Sequence, residues 1–259
     1  MGDFREMSRS VGVVVPAYRP DRSVLVTYLG ALQAEIDPAV LRVELDQPDE
    51  RTVEELKATG ATVNTVESRR GKGQALTDGF EALDTDVLAF ADADGSTPAE
   101  SVRNVIDQVR LGEVDLAAGS RRHPDADVQS HQTVFRQHLG DVFAWLARRL
   151  LDVSLRDYQC GAKAMTRETW QAIRPHLYQP GFAWDIEVLA MADTLGYTIG
   201  EVPVTWIDHP DSTVTTTDAV PELLRALVAT RRRARRLGAG TEPVASGRTE
   251  QVPLINRNR

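Results

Sequence analysis

Hydrophobic positions along the chain fall into short, wholly apolar runs separated by longer stretches of helical spacing. Val11–Val15 is a β-branched run closed by Pro16 and predicts a first strand buried on both faces. From about Arg22 to Ile36, Val24, Leu25, Tyr28, Leu29 and Leu32 recur on one side of a helix. Leu41–Leu45 predicts a second strand that stops at Asp46. Asp49 then caps a helix facing Val53 and Leu56 inward, and Gly60 ends it. A third strand at Ala61–Val66 leads through Ser-Arg-Arg-Gly-Lys-Gly (68–73) into a helix reaching Leu83. A buried strand at Val87–Ala91, a helix at Ala99–Leu111 and a strand at Val114–Ala118 follow. Strands and helices alternating at this spacing predict an α/β fold, a mostly parallel sheet with helices on both faces.

The pattern changes after residue 120. His123–Thr133 is polar and irregular and reads as a mobile loop, and Phe135–Leu151 is amphipathic, with Leu139, Val142, Phe143, Leu146 and Leu150 on one side. Asp157–Gly161 reads as a turn into a strand at Ala162–Met165, Asp185–Leu195 as a helix, and Thr198–Ile207 as a strand carrying Pro203. A last helix, Val220–Leu237, sets Val220, Leu223, Leu224, Leu227 and Val228 at helical spacing and ends in Arg-Arg-Arg-Ala-Arg-Arg (231–236). The division is therefore a tail (1–10), one large domain (11–215) with halves meeting near 120, a basic amphipathic helix (216–237) and a tail (238–259) expected to be disordered.

Composition narrows the function classes. A chain of 259 residues, 42% hydrophobic and 26% charged, suits a soluble globular protein. Its formal charge of −8 argues against general nucleic-acid binding. Cys160 is the single cysteine, so no intrachain disulfide forms and a reducing, cytoplasmic setting is expected. Residues 1–10 lack the apolar core of a signal peptide, and no apolar run approaches the roughly 20 residues that span a bilayer. No G-x-G-x-x-G follows the first strand, which argues against a dinucleotide dehydrogenase.

Chemistry concentrates at Asp86–Ser96, where the buried strand runs into Asp92 and Asp94, Gly95 permits a turn, and Pro98 suits the first turn of a helix. Ligands of open α/β sheets bind at the carboxyl ends of the strands. Two carboxylates there suit a hard divalent cation completed by substrate phosphates. The plain alternative is a turn, which Asp and Gly both favour. Ser96 can add a hydroxyl to such a shell or cap the helix.

Seven stretches in order resemble glycosyltransferase family two enzymes of the GT-A (Rossmann-like) fold. They are Val-Val-Val-Pro-Ala-Tyr (13–18), Arg-Gly-Lys-Gly (70–73), Ala-Asp-Ala-Asp-Gly-Ser (91–96), Gly-Ser-Arg (119–121), Asp-Tyr-Gln-Cys-Gly-Ala-Lys (157–163), Gly-Phe-Ala-Trp-Asp-Ile-Glu (181–187) and Glu-Val-Pro-Val-Thr-Trp (201–206). The nearest branch moves a hexose to dolichyl or another polyprenyl phosphate. Two departures, Arg19-Pro20 for the family's Asn-Glu and Asp46-Gln47-Pro48-Asp49 for its Asp-Asp-Gly-Ser, fall on segments that contact the nucleotide in relatives. They leave the base preference open.

The resemblance implies a metal-dependent inverting transferase drawing on UDP-glucose or GDP-mannose and feeding glycan or glycoprotein assembly. A soluble enzyme acting on phosphoglycerate or a sugar hydroxyl is the alternative. It implies that Pro16, Ala17, Tyr18 and Asp46 line the nucleotide pocket and that Lys72 lies by the diphosphate or ribose. Asp92 and Asp94 would then hold Mg²⁺ or Mn²⁺, with Asp92 also touching ribose. Arg121 and Arg136 would receive the acceptor phosphate, Gly140 standing where relatives often carry serine, and Asp157, Gln159 and Lys163 would shape the sugar and acceptor pocket. Asp185 and Glu187 occupy the region of a general base. A phosphomonoester with a second pKa of about 6 is already nucleophilic, so these two can instead orient groups or balance arginines. The arginines of the last helix suit peripheral contact with an anionic membrane on its cytoplasmic face, or simply complement the helix dipole.

Overall fold

The computed structural model describes residues 9–129, 149, 151, 153–207, 216–239 and 252–257, with side chains of the last helix from 223 onward. Its centre is a seven-stranded sheet ordered β3-β2-β1-β4-β7-β5-β8. The strands are β1 (Val11–Tyr18), β2 (Val40–Asp46), β3 (Thr62–Val66), β4 (Val87–Ala91), β5 (Leu116–Ser120), β7 (Ala162–Thr166) and β8 (Ile199–Pro203). All neighbours pair in parallel except β7, which runs antiparallel between β4 and β5. The mostly parallel sheet is as expected from the alternation of elements.

Alternation along β1 builds two cores. Val11, Val13, Val15 and Ala17 face helices α1 (Arg22–Ile36), α2 (Glu50–Lys57) and α4 (Ala99–Arg110) through Leu25, Leu29, Leu56, Val102 and Ile106. Val14 and Phe90 face the other side, toward α3 (Lys72–Glu81), α5 (Arg167–Ile173) and α6 (Trp184–Thr194). There Phe80 meets Trp170 edge-on at 5.1 Å, and Phe90 meets Trp184 at 5.7 Å. Such pairs contribute about 0.5–1.5 kcal/mol beyond their area burial. Both indoles are satisfied, Trp170 by Glu81 at 2.9 Å and Trp184 by the Thr77 hydroxyl at 3.2 Å.

Four local outcomes depart from the sequence pattern. Pro16 does not end β1, which continues to Tyr18; beyond Val14 the strand is paired only with β2, and one-sided pairing tolerates a residue without an N–H. The stretch at Thr198–Ile207 divides after Pro203. Its end, β9 (Thr205–Ile207), leaves the main sheet and pairs with β6 (Asp127–Gln129), a strand inside the segment expected to be irregular. Helix α4 starts at Ala99 with Pro98 as its N-cap, so Ser96 does not cap it. Against the expectation of a disordered tail, residues 252–257 form a 3-10 turn at Leu254–Asn256 with Leu254 wholly buried, its amide donating to the Leu177 carbonyl at 2.9 Å.

The last helix, α7, spans Thr216–Gly238. Ala226, Leu227 and Thr230 are buried, while Val228 is exposed. Residues 1–8, Arg136, Gly140 and most of the Phe135–Leu151 stretch lie outside the described residues.

Candidate functional site

The carboxyl ends of β1, β2 and β4 converge, as the parallel topology requires, and the helix-initiating loop at 69–73 lies over them. Gly71, at φ 91°, reverses the chain there, a conformation costly for any residue with a side chain. Its neighbours on either side consequently enter different clusters.

Lys72 donates to Asp92 Oδ1 at 2.9 Å and reaches Asp185 Oδ2 at 3.1 Å. Lys163 holds the other oxygen of Asp185 at 2.7 Å and donates to the Cys160 carbonyl at 2.9 Å. Both ammonium groups sit against the Phe90 ring, 4.8 and 5.6 Å from its centroid. Burial pushes the Asp185 carboxyl up, but Lys163 and Lys72 outweigh it and hold the group below the usual range. An ionised carboxylate gripped by two ammonium groups is a poor proton acceptor. Both Asp185 oxygens are thus engaged by lysines.

Asp92 is the edge of this cluster, with its side chain 36% exposed. Its amide donates to the Gly161 carbonyl at 2.9 Å, and a Cβ on Gly161 would collide with its carboxylate. That glycine is required by close approach. Asp94 is exposed on the turn, where its Oδ1 accepts from the Ser96 amide at 2.9 Å. Tyr28, buried on α1, props the same turn by donating to the Thr97 carbonyl at 2.6 Å, and its ring lies under Gly95. Ile207 donates to the Ser96 carbonyl at 2.8 Å from the far side.

Among the described residues no three His, Cys, Asp or Glu side chains converge to hold a metal by themselves. The turn nonetheless fits a hard divalent ion: its donors are carboxylate oxygens, Asp94 is open, and Asp92 can exchange Lys72 for the ion. Few protein ligands, with phosphates and waters completing the shell, is the usual arrangement for Mg²⁺.

Arg70 enters the second cluster. It donates to Asp46 through its amide at 2.6 Å and Nε at 2.7 Å, to Glu44 at 2.9 Å and to Asp78 at 2.8 Å. Glu44 is wholly buried and also accepts from Arg42 at 2.6 Å and Asn64 at 2.7 Å. Asp46, expected to face the nucleotide, is thus engaged by Arg70 and only 2% exposed. Tyr18, at the end of β1, carries Arg69 over its ring at 4.2 Å and Arg19 at 5.4 Å. Pro16 and Tyr18 are partly accessible, whereas Ala17 is buried in the core.

On the opposite side, Arg121 grips Asp157 with Nε at 2.7 Å and Nη2 at 3.0 Å, and its amide adds a third bond at 3.2 Å. Burial works against the Asp157 charge, but Arg121 outweighs it and holds the carboxyl well below the usual range. Asp157 Oδ1 also takes the Gln159 amide at 3.0 Å, and Glu201 on β8 takes the amides of Arg156 and Asp157 at 2.7 and 2.8 Å. The guanidinium of Arg121 stands 5.7 Å from the Trp206 ring centroid. Cys160 is sealed beneath, and burial pushes its thiol up to about 11, so it is inert.

Lys163 is wholly buried within β7 and serves as counter-charge to Asp185. Glu187 is wholly buried on α6. Its carboxylate accepts from the Tyr178 and Gln179 amides at 2.6 and 2.8 Å and from Arg233 at 2.6 Å. Pattern reading missed Arg70, Glu44, Tyr28, Gly161 and Trp206. Arg70, Gly161 and Trp206 stood inside the family-like stretches, and Glu44 is an acid within a mostly buried strand.

The glycosyl transferase family 2 model matches residues 13–170. Glycosyltransferase AglD of Haloferax volcanii is 32% identical over 226 residues, 83% of this chain and 35% of that protein. Human dolichyl-phosphate beta-glucosyltransferase is 28% identical over 222 residues, covering 78% of this chain and 68% of that one. The chain spans about a third to a half of the length of the first curated relatives it matches. Among solved structures, glucosyl-3-phosphoglycerate synthase of Mycobacterium tuberculosis, in complex with Mn²⁺, UDP and phosphoglyceric acid, superposes with a TM-score of 0.67 at 20% identity. That match covers 88% of this chain and 80% of that chain. Identity this low speaks to the fold alone.

Proposed function

The chain belongs to glycosyl transferase family 2, and from that membership we propose that it transfers a hexose, with inversion, from a nucleotide sugar to a polyprenyl phosphate. The observation that carries the reading is the Asp92–Asp94 turn, set between Lys72 on one side and the Arg121–Asp157 pair on the other. Arg121 lies within electrostatic reach of Asp92, so two anionic substrates can meet across one turn. Dolichyl-phosphate beta-glucosyltransferases among the relatives support a glucose donor, UDP-glucose before GDP-mannose.

In this reading Asp94 and Asp92 hold Mg²⁺ or Mn²⁺, which when bound neutralises charge on the leaving nucleoside diphosphate. Tyr18, flanked by Arg69 and Arg19, receives the base and Lys72 the diphosphate. Arg121 presents its planar fork to the acceptor phosphate, with Asp157 fixing its orientation. The acceptor is ionised at neutral pH, so Asp185 abstracts no proton and serves to hold Lys72 in place.

Peripheral contact with the cytoplasmic leaflet belongs to the same proposal. Among the described residues no helix is long and apolar enough to cross a membrane. Arg232, Arg235 and Arg236 are exposed on α7, and each basic residue near an anionic surface contributes about 1 kcal/mol.

The test is incubation with labelled UDP-glucose or GDP-mannose, Mn²⁺ and either dolichyl phosphate or 3-phosphoglycerate. Label should enter the organic phase with dolichyl phosphate. Label appearing only in a water-soluble glucosyl phosphoglycerate would replace this reading with the small-acceptor one.

A further inference from the structure

Residues 177–181 form a strap crossing the back of the Gly71–Gly73 loop. The strap has no regular structure, yet it is gripped from three directions. From α6, Glu187 accepts the Tyr178 and Gln179 amides with Oε2. From α7, Arg233 donates to Glu187 Oε1 at 2.6 Å and stacks on the Tyr178 ring at 4.4 Å. From the 252–257 segment, Leu254 donates to the Leu177 carbonyl at 2.9 Å and Arg257 to the Tyr178 carbonyl at 3.0 Å.

The gripped strap presses directly on the lysine loop. Pro180 O accepts the Gln74 amide at 3.1 Å, at the start of the helix that Lys72 begins. Gly71 and Gly73 leave no room between the two segments. A Cβ on Gly71 would stand 2.6 Å from Pro180 O, and one on Gly73 would collide with Gln179 O. The terminal segment touches α3 itself as well, since Gln74 Nε2 donates to the Leu254 carbonyl at 3.2 Å.

We propose that Glu187, Arg233 and the 252–257 segment are a clamp whose purpose is to set Lys72. They are positioning residues acting through the Tyr178–Gly181 strap, and the C-terminal part of the chain is thereby an integral support of the donor side. The inference rests on the reading that Lys72 faces a nucleoside diphosphate. Its chemical logic is that a lysine beside a diphosphate must be held without its own backbone moving. A Gly-flanked loop has no stiffness, so rigidity must come from whatever packs behind it.

The test compares Arg233→Ala, Arg233→Lys, Glu187→Gln, Gly73→Ala and a chain ending at Gln251 with the wild type, and with Lys72→Ala as the reference for loss of the lysine. Three quantities are read on each folded protein: amide hydrogen exchange at residues 71–76, UDP affinity with Mn²⁺ by calorimetry, and the thermal midpoint. Arg233→Ala, Gly73→Ala and the truncation should speed exchange at Gln74 and weaken UDP about tenfold, and Arg233→Lys should recover part of both. Lowered midpoints with unchanged UDP affinity would make the clamp mere architecture and overturn the proposal. Unchanged exchange at Gln74 would overturn it independently of any nucleotide. A wild type that binds neither UDP nor GDP while its Gln74 exchange still depends on Arg233 overturns the donor reading, and with it the clamp's purpose.

Discussion

The cluster around Arg70 and the cluster around Lys72 start from residues two positions apart, and they differ in how they end. Arg70 is sealed beneath the sheet end with Glu44, Asp46 and Asp78, its side chain only 7% exposed. Lys72 shares Asp185 with Lys163 but opens through Asp92 onto the exposed Asp94. Desolvated charges enclosed by protein can only lose when a partner is removed. A cluster with one wet edge can instead trade a carboxylate partner for ligand charge. The first arrangement therefore specifies structure and the second supports chemistry, and the positive φ of Gly71 sends the chain from one to the other.

The largest effect should come from the wet edge. Asp94→Asn should lower the transfer rate about 10²–10³-fold, the usual scale for losing one group that stabilises developing charge, with the thermal midpoint unmoved. Retained turnover would break the assignment of chemistry to the Lys72 side. Next, Arg70→Ala should cost about 3–5 kcal/mol in urea unfolding, because the buried Glu44 and Asp46 and the partly buried Asp78 lose their common partner. Lys72→Ala should cost less stability, since Lys163 still faces Asp185, yet remove most of the activity. Equal stability losses would erase the contrast.

Two glycines sharpen it further. Gly161→Ala drives a methyl into the Asp92 carboxylate and should cost about tenfold in rate with little unfolding. Gly79→Ala places a Cβ 2.6 Å from Val14 and 3.2 Å from the Glu44 side chain, and should cost about 1–3 kcal/mol of stability with activity per folded molecule unchanged.

The smallest effects are in pH. Asp157 and Asp185 have folded pKa values below the unfolded value of 3.8, so their stabilisation is present above that pH and lost as pH falls beneath it. Lys72 has its folded pKa above the unfolded value of 10.5, so its contribution is intact below that pH and lost as pH rises beyond it. Unfolding curves from pH 2 to 11 should show both limbs, with Asp157→Asn flattening only the acid one.

Much of this was legible in the chain. The β-branched run at Val11–Val15, the helical spacing from Leu25 to Leu32 and the strand leading into Asp92 all form as their patterns require. The Asp92–Asp94 turn was marked by residue type and by its place at a strand end, whereas Lys72 and Arg121 were marked only by the family resemblance. The roles of Lys163 and Glu187 were not. Each acid or base finds its partner across 22 to 46 residues of sequence, Lys163 with Asp185 and Glu187 with Arg233, and no spacing rule encodes such pairs. Leu254 looked like part of a disordered tail because a single buried side chain has no periodicity to read.

Local physics therefore determined what needs only neighbours: strand and helix runs, the two-sided sheet, and acids delivered to its carboxyl edge. Only the folded chain decided which charges are spent on one another and which remain for a ligand. Coulombic pairing depends on separation in space and on exclusion of water, and both exist only after the sheet, α7 and the terminal segment have packed.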